Sequence, residues 1–273
     1  MNGPRSNKAM IALAVAVIGA LISWYSKRDG ENPPRNTSPS AQVPASARDN
    51  RDRRDSPPSR PANVGAAFDF YLLSMSWHPA FCSDGHENKP ECRITQAHPL
   101  ALHGLWPEKL QPGAYPHDCA APHLDLQPEL ARELEPYMPG MDSNLHEHEW
   151  RTHGGCTGLD DDAYFQRALD LAITMDVALR ATLTTLAGRE TTAAQLRGAA
   201  NRFREGFGQT IVFQCRTMRD APAALRNKPF LIEVRQCIDD DGPNHAAGTL
   251  LDCATVDRRD QGCGRAFQIA DTR

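Results

Sequence analysis

Two short segments concentrate imidazole, carboxylate and indole in this chain: His103-Gly104-Leu105-Trp106-Pro107, and His146-Glu147-His148-Glu149-Trp150-Arg151-Thr152-His153-Gly154-Gly155-Cys156. A zinc helix of the His-Glu-x-x-His kind needs two imidazoles four residues apart on one face. His148 and His153 are five apart, so on a helix they diverge by about 140°. That spacing argues against a metal, and neither a metal nor another cofactor is expected. Glu149 and His153 are four apart, share a helix face and can reach a common ligand. One imidazole from each segment would give paired proton transfer. Cleavage of RNA by its own 2′-hydroxyl needs that pair: a base for the 2′-proton, an acid for the leaving 5′-oxygen, and donors for the phosphorane. His103 and His153 can serve if the fold brings their segments together. Cys119 follows the first segment and Cys156 ends the second, so a bridge between them would pin the two.

The elements that must do this positioning are readable from periodicity. Phe68 to Trp77 is rich in β-formers and reads as the first core strand, and Pro99 to Leu105 is a second apolar stretch ending in His-Gly. Leu124 to Met138 reads as a helix. Asn144 is placed to cap a short helix running to about His153 and stopped by Gly154-Gly155. Asp160 to Leu186 carries Tyr164, Phe165, Ala168, Leu169, Ala172, Met175 and Leu179 at three- and four-residue spacing, an amphipathic helix behind an Asp cap. Thr192 to Phe203 suggests another helix, and Thr210 to Arg216, Pro229 to Cys237 and Arg265 to Ile269 read as strands. Strands early, helices in the middle and strands late indicate an α+β fold with a central antiparallel sheet. There is no internal repeat.

The first quarter of the chain belongs to none of this. Met10 to Tyr25 is an uninterrupted apolar run behind Arg5 and Lys8, which predicts a signal peptide or a retained signal anchor over residues 1–26; without a small-residue cleavage pair before Lys27, membrane anchorage through residues 10–25 is the expectation. Residues 27–67, with Pro33-Pro34, Pro57-Pro58 and mixed charge from Arg48 to Arg54, cannot bury enough apolar surface to order themselves and read as a tether. The folded domain is therefore residues 68–273. Ten of the 30 Lys and Arg and five of the 34 Asp and Glu precede residue 68, which leaves 20 against 29, a net charge of −9 on the domain. Such a domain repels polyanions except at a local site, which counts against tight non-specific nucleic-acid binding but not against catalysis on RNA. All eight cysteines, Cys82, Cys92, Cys119, Cys156, Cys215, Cys237, Cys253 and Cys263, lie in it without any C-x-x-C, so a disulfide framework in an oxidising compartment is expected.

These motifs, in this order, resemble the ribonuclease T2 family, most closely its bacterial periplasmic members. His-Gly-Leu-Trp-Pro is similar to the family's first active-site motif, and Glu149 to Cys156 to its second, commonly H-E-W-x-K-H-G-T-C. Ser-Trp-x-x-x-Phe-Cys near Cys82 and the closing Cys-Gly-Arg-Ala-Phe extend the likeness over nearly all of Phe68 to Ala270. The resemblance implies a metal-independent endoribonuclease that acts on single-stranded RNA and not DNA through a 2′,3′-cyclic phosphate. It implies His103 as general acid, His153 as general base, Glu149 as their neighbour at the phosphate, His148 as a phosphate ligand and Trp106 as a base-stacking ring, although a tryptophan there can equally fill core. It also implies the pairs Cys82–Cys92, Cys215–Cys263 and Cys237–Cys253, where sequence alone permits others. Thr152 departs from the pattern: the family usually has Lys there, and a hydroxyl donates only one hydrogen bond. A catalytically weakened member that binds RNA or a protein partner therefore stays open beside the enzyme. A monomer in the periplasm or outside the cell is expected. The remaining histidines, His78, His98, His117, His123 and His245, lack a partnered context.

Overall fold

The computed structural model of the chain describes residues 65–93, 97–111, 113, 115–240 and 249–272. The expected anchor at 10–25, nearly all of the tether and His245 lie outside them. Among the described residues, no helix is long and apolar enough to cross a membrane.

The chain enters through β1 (Phe70–Trp77), whose aromatic and long aliphatic side chains suit a strand buried on both faces. A one-turn helix α1 (His78–Cys82) follows, started by Pro79 in its first turn, and then β2 (Leu100–Glu108). Helix α2 covers only Pro128–Leu134, shorter than the helix expected over Leu124–Met138. Pro128 sets the start, because the residue before a proline is pushed out of helical geometry. Helix α3 (Leu145–Thr152) and the 26-residue α4 (Asp161–Leu186) come next; Asp160 caps α4 by accepting the Ala163 N–H at 2.8 Å. Asn144 stands at the N-cap of α3 in a left-handed conformation (φ 61°), without a side-chain capping bond. After the two-residue β3 (Glu190–Thr191), α5 (Ala193–Phe203) opens with a capping box between Thr192 and Gln195. Strands β4 (Ile211–Arg216), β5 (Phe230–Asp239) and β6 (Phe267–Gln268) complete the domain.

The six strands form one sheet in the order β2-β1-β5-β6-β3, with β4 on the other side of β5. Its pairings are antiparallel apart from one: β6 meets β5 in parallel at Phe230 and Gln268. Alternation along the strands gives the sheet two different faces. One carries Leu73, Met75, Leu105 and Val234 into the main core, where α4 supplies Tyr164, Phe165, Leu169 and Met175. On the other, Phe70, Leu72, Val212 and Cys237 form a smaller apolar cluster at one end, with Trp106 at its border. Beyond Trp106 the same face turns polar, with Ser74, Gly104, Glu233 and Arg235 in adjacent positions.

Four disulfides fasten the connections: Cys82–Cys92, Cys119–Cys156, Cys215–Cys263 and Cys237–Cys253. Cys119–Cys156 ties the loop after β2 to the end of α3, and the Asp118 N–H adds a bond to the Thr152 carbonyl at 2.8 Å. This double attachment brings the segment behind the first motif against the second.

Candidate active site

The register between β1 and β2 slips at the first motif. Ser74 faces Gly104 and Met75 faces Leu102, which leaves His103 as the extra residue of a β-bulge. A bulge frees one residue from the ladder and re-aims its side chain. His103 accordingly reaches along the sheet to β5, where its Nδ1 is hydrogen-bonded to Glu233 Oε1 at 2.7 Å. Its other ring nitrogen, Nε2, lies 3.7 Å from Glu149 Oε1.

Glu149 approaches from α3 over the edge strand β2. Its carboxylate is buried and accepts the Trp106 indole N–H at 2.8 Å through Oε2. Gly104 permits this approach, since a Cβ there would collide with both the Glu149 carboxylate and the indole nitrogen. One turn on, His153 ends α3, with Gly154 and Gly155 packed where side chains would strike Trp150 and Ala121. Trp150 itself is core, its N–H satisfied by the Pro122 carbonyl at 2.8 Å.

Trp106 stands between the two histidines, its ring centroid 5.2 Å from that of His103 and 5.5 Å from that of His153. Arg235 lies over the indole at 4.9 Å and is bound to Glu233 Oε2 through Nε at 2.9 Å and Nη2 at 2.7 Å. His103, Trp106, Glu149 and His153 are thus brought together. His148 is exposed on α3 and lines, with His103, Glu233, Phe81 and Lys89, a cavity of about 530 Å³. Thr152 is half-buried at the end of α3. A cavity of about 600 Å³ bounded by Pro79, Thr184 and Asp271 contains no residue of either motif.

The environments push the two imidazoles in opposite directions. Burial disfavours charge on His103, but the hydrogen bond and negative charge of Glu233, joined by Glu149, outweigh it and raise its pKa above the ordinary histidine value. Burial, with the nearby His148 and His103, lowers that of His153 to about 4, and its Nδ1 is buried without a hydrogen-bond partner. Burial raises the Glu149 carboxyl, opposed by His103 and by the indole bond. Burial of Glu233 is overcome by His103 and Arg235, which hold its carboxyl at about 2.

Glu233 and Arg235 were missed in the sequence. Their signal is two charges at alternate positions in Pro229 to Cys237, a strand whose other residues are apolar apart from Gln236. His98 also has a context that its neighbours in sequence do not show: its Nδ1 meets the buried Asp176 at 2.9 Å, and its ring stacks on Tyr137. Among the described residues, the one compact His/Cys grouping is His78 with Cys82 and Cys92, whose sulfurs are joined to each other.

A disulfide-bonded α+β domain with two histidines of opposite tendency across one indole is a class of site suited to paired proton transfer. The chain belongs to the ribonuclease T2 family, whose profile matches residues 68–253. It is 36% identical over 104 residues to a ribonuclease of Aeromonas hydrophila, covering 38% of this chain and 45% of that protein. It is 30% identical over 135 residues to ribonuclease I of Escherichia coli K12, covering 36% and 50%. The chain thus spans about half the length of these bacterial relatives. A point variant of RNase MC1 solved with 5′-GMP superposes with a TM-score of 0.55 at 26% identity, covering 74% of this chain and all of that one.

Proposed function

We propose that the domain is an endoribonuclease that cleaves single-stranded RNA by transphosphorylation, with His153 as general base and His103 as general acid. The opposite displacement of the two pKa values carries this reading. At mildly acidic pH His153 is neutral and can take the 2′-hydroxyl proton, while His103 is charged and can give a proton to the 5′-oxygen. The 2′-oxygen bonds to phosphorus, the bond to the 5′-oxygen breaks, and a 2′,3′-cyclic phosphate remains. Glu149 and His148 border the phosphate, and the cavity beside His103 receives RNA. Trp106, covered by Arg235 and spending its N–H on Glu149, acts as the wall that spaces the histidines more than as an open base platform. DNA, lacking the 2′-hydroxyl, is not a substrate.

Four disulfides fit action in the periplasm or outside the cell. Whether residues 10–25 hold the domain to a membrane is tested by fractionation, where recovery as soluble protein beginning near residue 26 would refute the anchor. The activity is tested by assaying His103→Ala and His153→Ala on RNA with and without EDTA. Each should lose nearly all turnover at unchanged melting temperature, and the wild type should be insensitive to EDTA. RNA binding without cleavage by the wild type would favour the weakened, binding-only member.

A further inference from the structure

We propose that Glu233, clamped by Arg235, is a positioning residue that presents the Nε2 proton of His103 to the leaving 5′-oxygen. This deepens the reading above and rests on it. The geometry comes first. Glu233 Oε1 takes the Nδ1 proton of His103 at 2.7 Å, which assigns any exchangeable second proton to Nε2, the nitrogen that faces Glu149 and the cleft. Once Nε2 has delivered its proton, the ring is left as the Nδ1–H tautomer that the same hydrogen bond retains.

The carboxylate is itself fixed. Only 9% of its side chain is exposed, and its second oxygen is held by two N–H groups of one guanidinium. Arg235 is braced in turn against the Trp106 ring. Glu233 and Arg235 alternate on one face of β5, opposite Ser76 and Ser74 of β1, whose small side chains leave room for this layer. The bulge at His103 places the imidazole over it. A charged pair in a central strand is costly to desolvate, and its arrangement around one imidazole gives it a purpose other than stability. The surrounding ionisable groups are Glu149 and His153 from the α3 end and Arg235 from β5; Glu149 and Arg235 act on His103 in opposite senses, and the charge of His103 is felt at His153.

The experiment separates the acid step from folding and from base catalysis. A nucleoside 3′-phosphate esterified with 4-nitrophenol has a leaving group that departs without a proton, whereas a dinucleotide does not. All four 4-nitrophenyl esters and the matching dinucleotides would be assayed with wild type, Glu233→Gln, Arg235→Gln and Arg235→Lys. Glu233→Gln should lower kcat on dinucleotides by about 10- to 100-fold, part of what general-acid catalysis provides. On the nitrophenyl esters its kcat should stay within about threefold of wild type. Its kcat/KM profile should lose activity at lower pH on the alkaline side, because the imidazole has lost the charge that keeps it protonated. Arg235→Gln should repeat the split between the two substrate kinds more weakly, with Arg235→Lys between it and wild type, but without the loss at lower pH, because the Arg235 cation itself opposes the charge on His103.

In Glu233→Gln, equal losses on both substrate kinds, or an unmoved alkaline limb, would overturn the proposal and leave Glu233 with a structural role. Should Glu233→Gln fail to fold, the ratio of losses on dinucleotides and nitrophenyl esters in Arg235→Gln decides, equal losses overturning the proposal. Failure of the underlying reading looks different: wild type would then cleave neither substrate, or His103→Ala would retain activity on dinucleotides.

Discussion

The indole N–H of Trp106 and the carboxylate of Glu149 meet at 2.8 Å across the seam between β2 and α3. This bond joins the two motifs directly, and it exists because Gly104 leaves room for it. Gly104→Ala should push Glu149 and the indole apart. Misplacement by about 1 Å typically costs about 100-fold in rate, and a clash of this kind destabilises by about 1–3 kcal/mol. The checks are turnover on RNA and urea denaturation. A variant with wild-type kcat would show that the Glu149 position does not matter to the chemistry.

The pH profile follows from the two imidazoles with defined signs. His153 works neutral, so activity should fall as pH drops through about 4. His103 works protonated with a raised pKa, so activity should fall as pH rises beyond the ordinary histidine range. The kcat/KM profile should therefore be a bell whose flanks lie on either side of the unperturbed histidine value. Glu149 also titrates on the acid side, so NMR of the imidazole nitrogens is needed to assign that limb. An acid limb set by His153 at or above the ordinary value would refute the assignment of base and acid.

Much of this fold could be read because its signals are local. The amphipathic period of α4 and the caps at Asp160 and Thr192 are short-range features, and those elements lie within a residue or two of expectation. The helix expected over Leu124–Met138 starts only at Pro128, because propensity ignores what a proline does to the residue before it, and it ends at Leu134. The parallel contact of β6 depends on tertiary closure and leaves no local trace. The site divides in the same way. His103, Glu149 and His153 sit in motifs whose side-chain chemistry stands out in sequence. Glu233 lies 130 residues from His103, and only the register of β1 with β5 and the bulge at His103 make them neighbours.

Position 152 offers a separate test of the phosphate site. Thr152 lies one helical turn after His148 and three residues after Glu149, so a longer cation there can border the same phosphate. One donor to the developing oxyanion is typically worth about 100-fold or more in kcat. Thr152→Lys should recover part of that, raising kcat by about 3- to 100-fold with a smaller change in KM, because charge grows on phosphoryl oxygens mainly in the transition state. Unchanged or lower kcat at an unaltered melting temperature would mean that residue 152 does not face the phosphate.

The most direct test is the chemistry of the product ends. Wild-type protein would be incubated with single-stranded RNA in EDTA and the fragments weighed by mass spectrometry before any slow second step. Attack by the substrate's own 2′-hydroxyl, assisted by His153 and His103, predicts fragments ending in 2′,3′-cyclic phosphate, with new 5′-hydroxyl termini and no cleavage of the matching DNA. Fragments bearing 5′-phosphates, or complete loss of cleavage in EDTA, would contradict it.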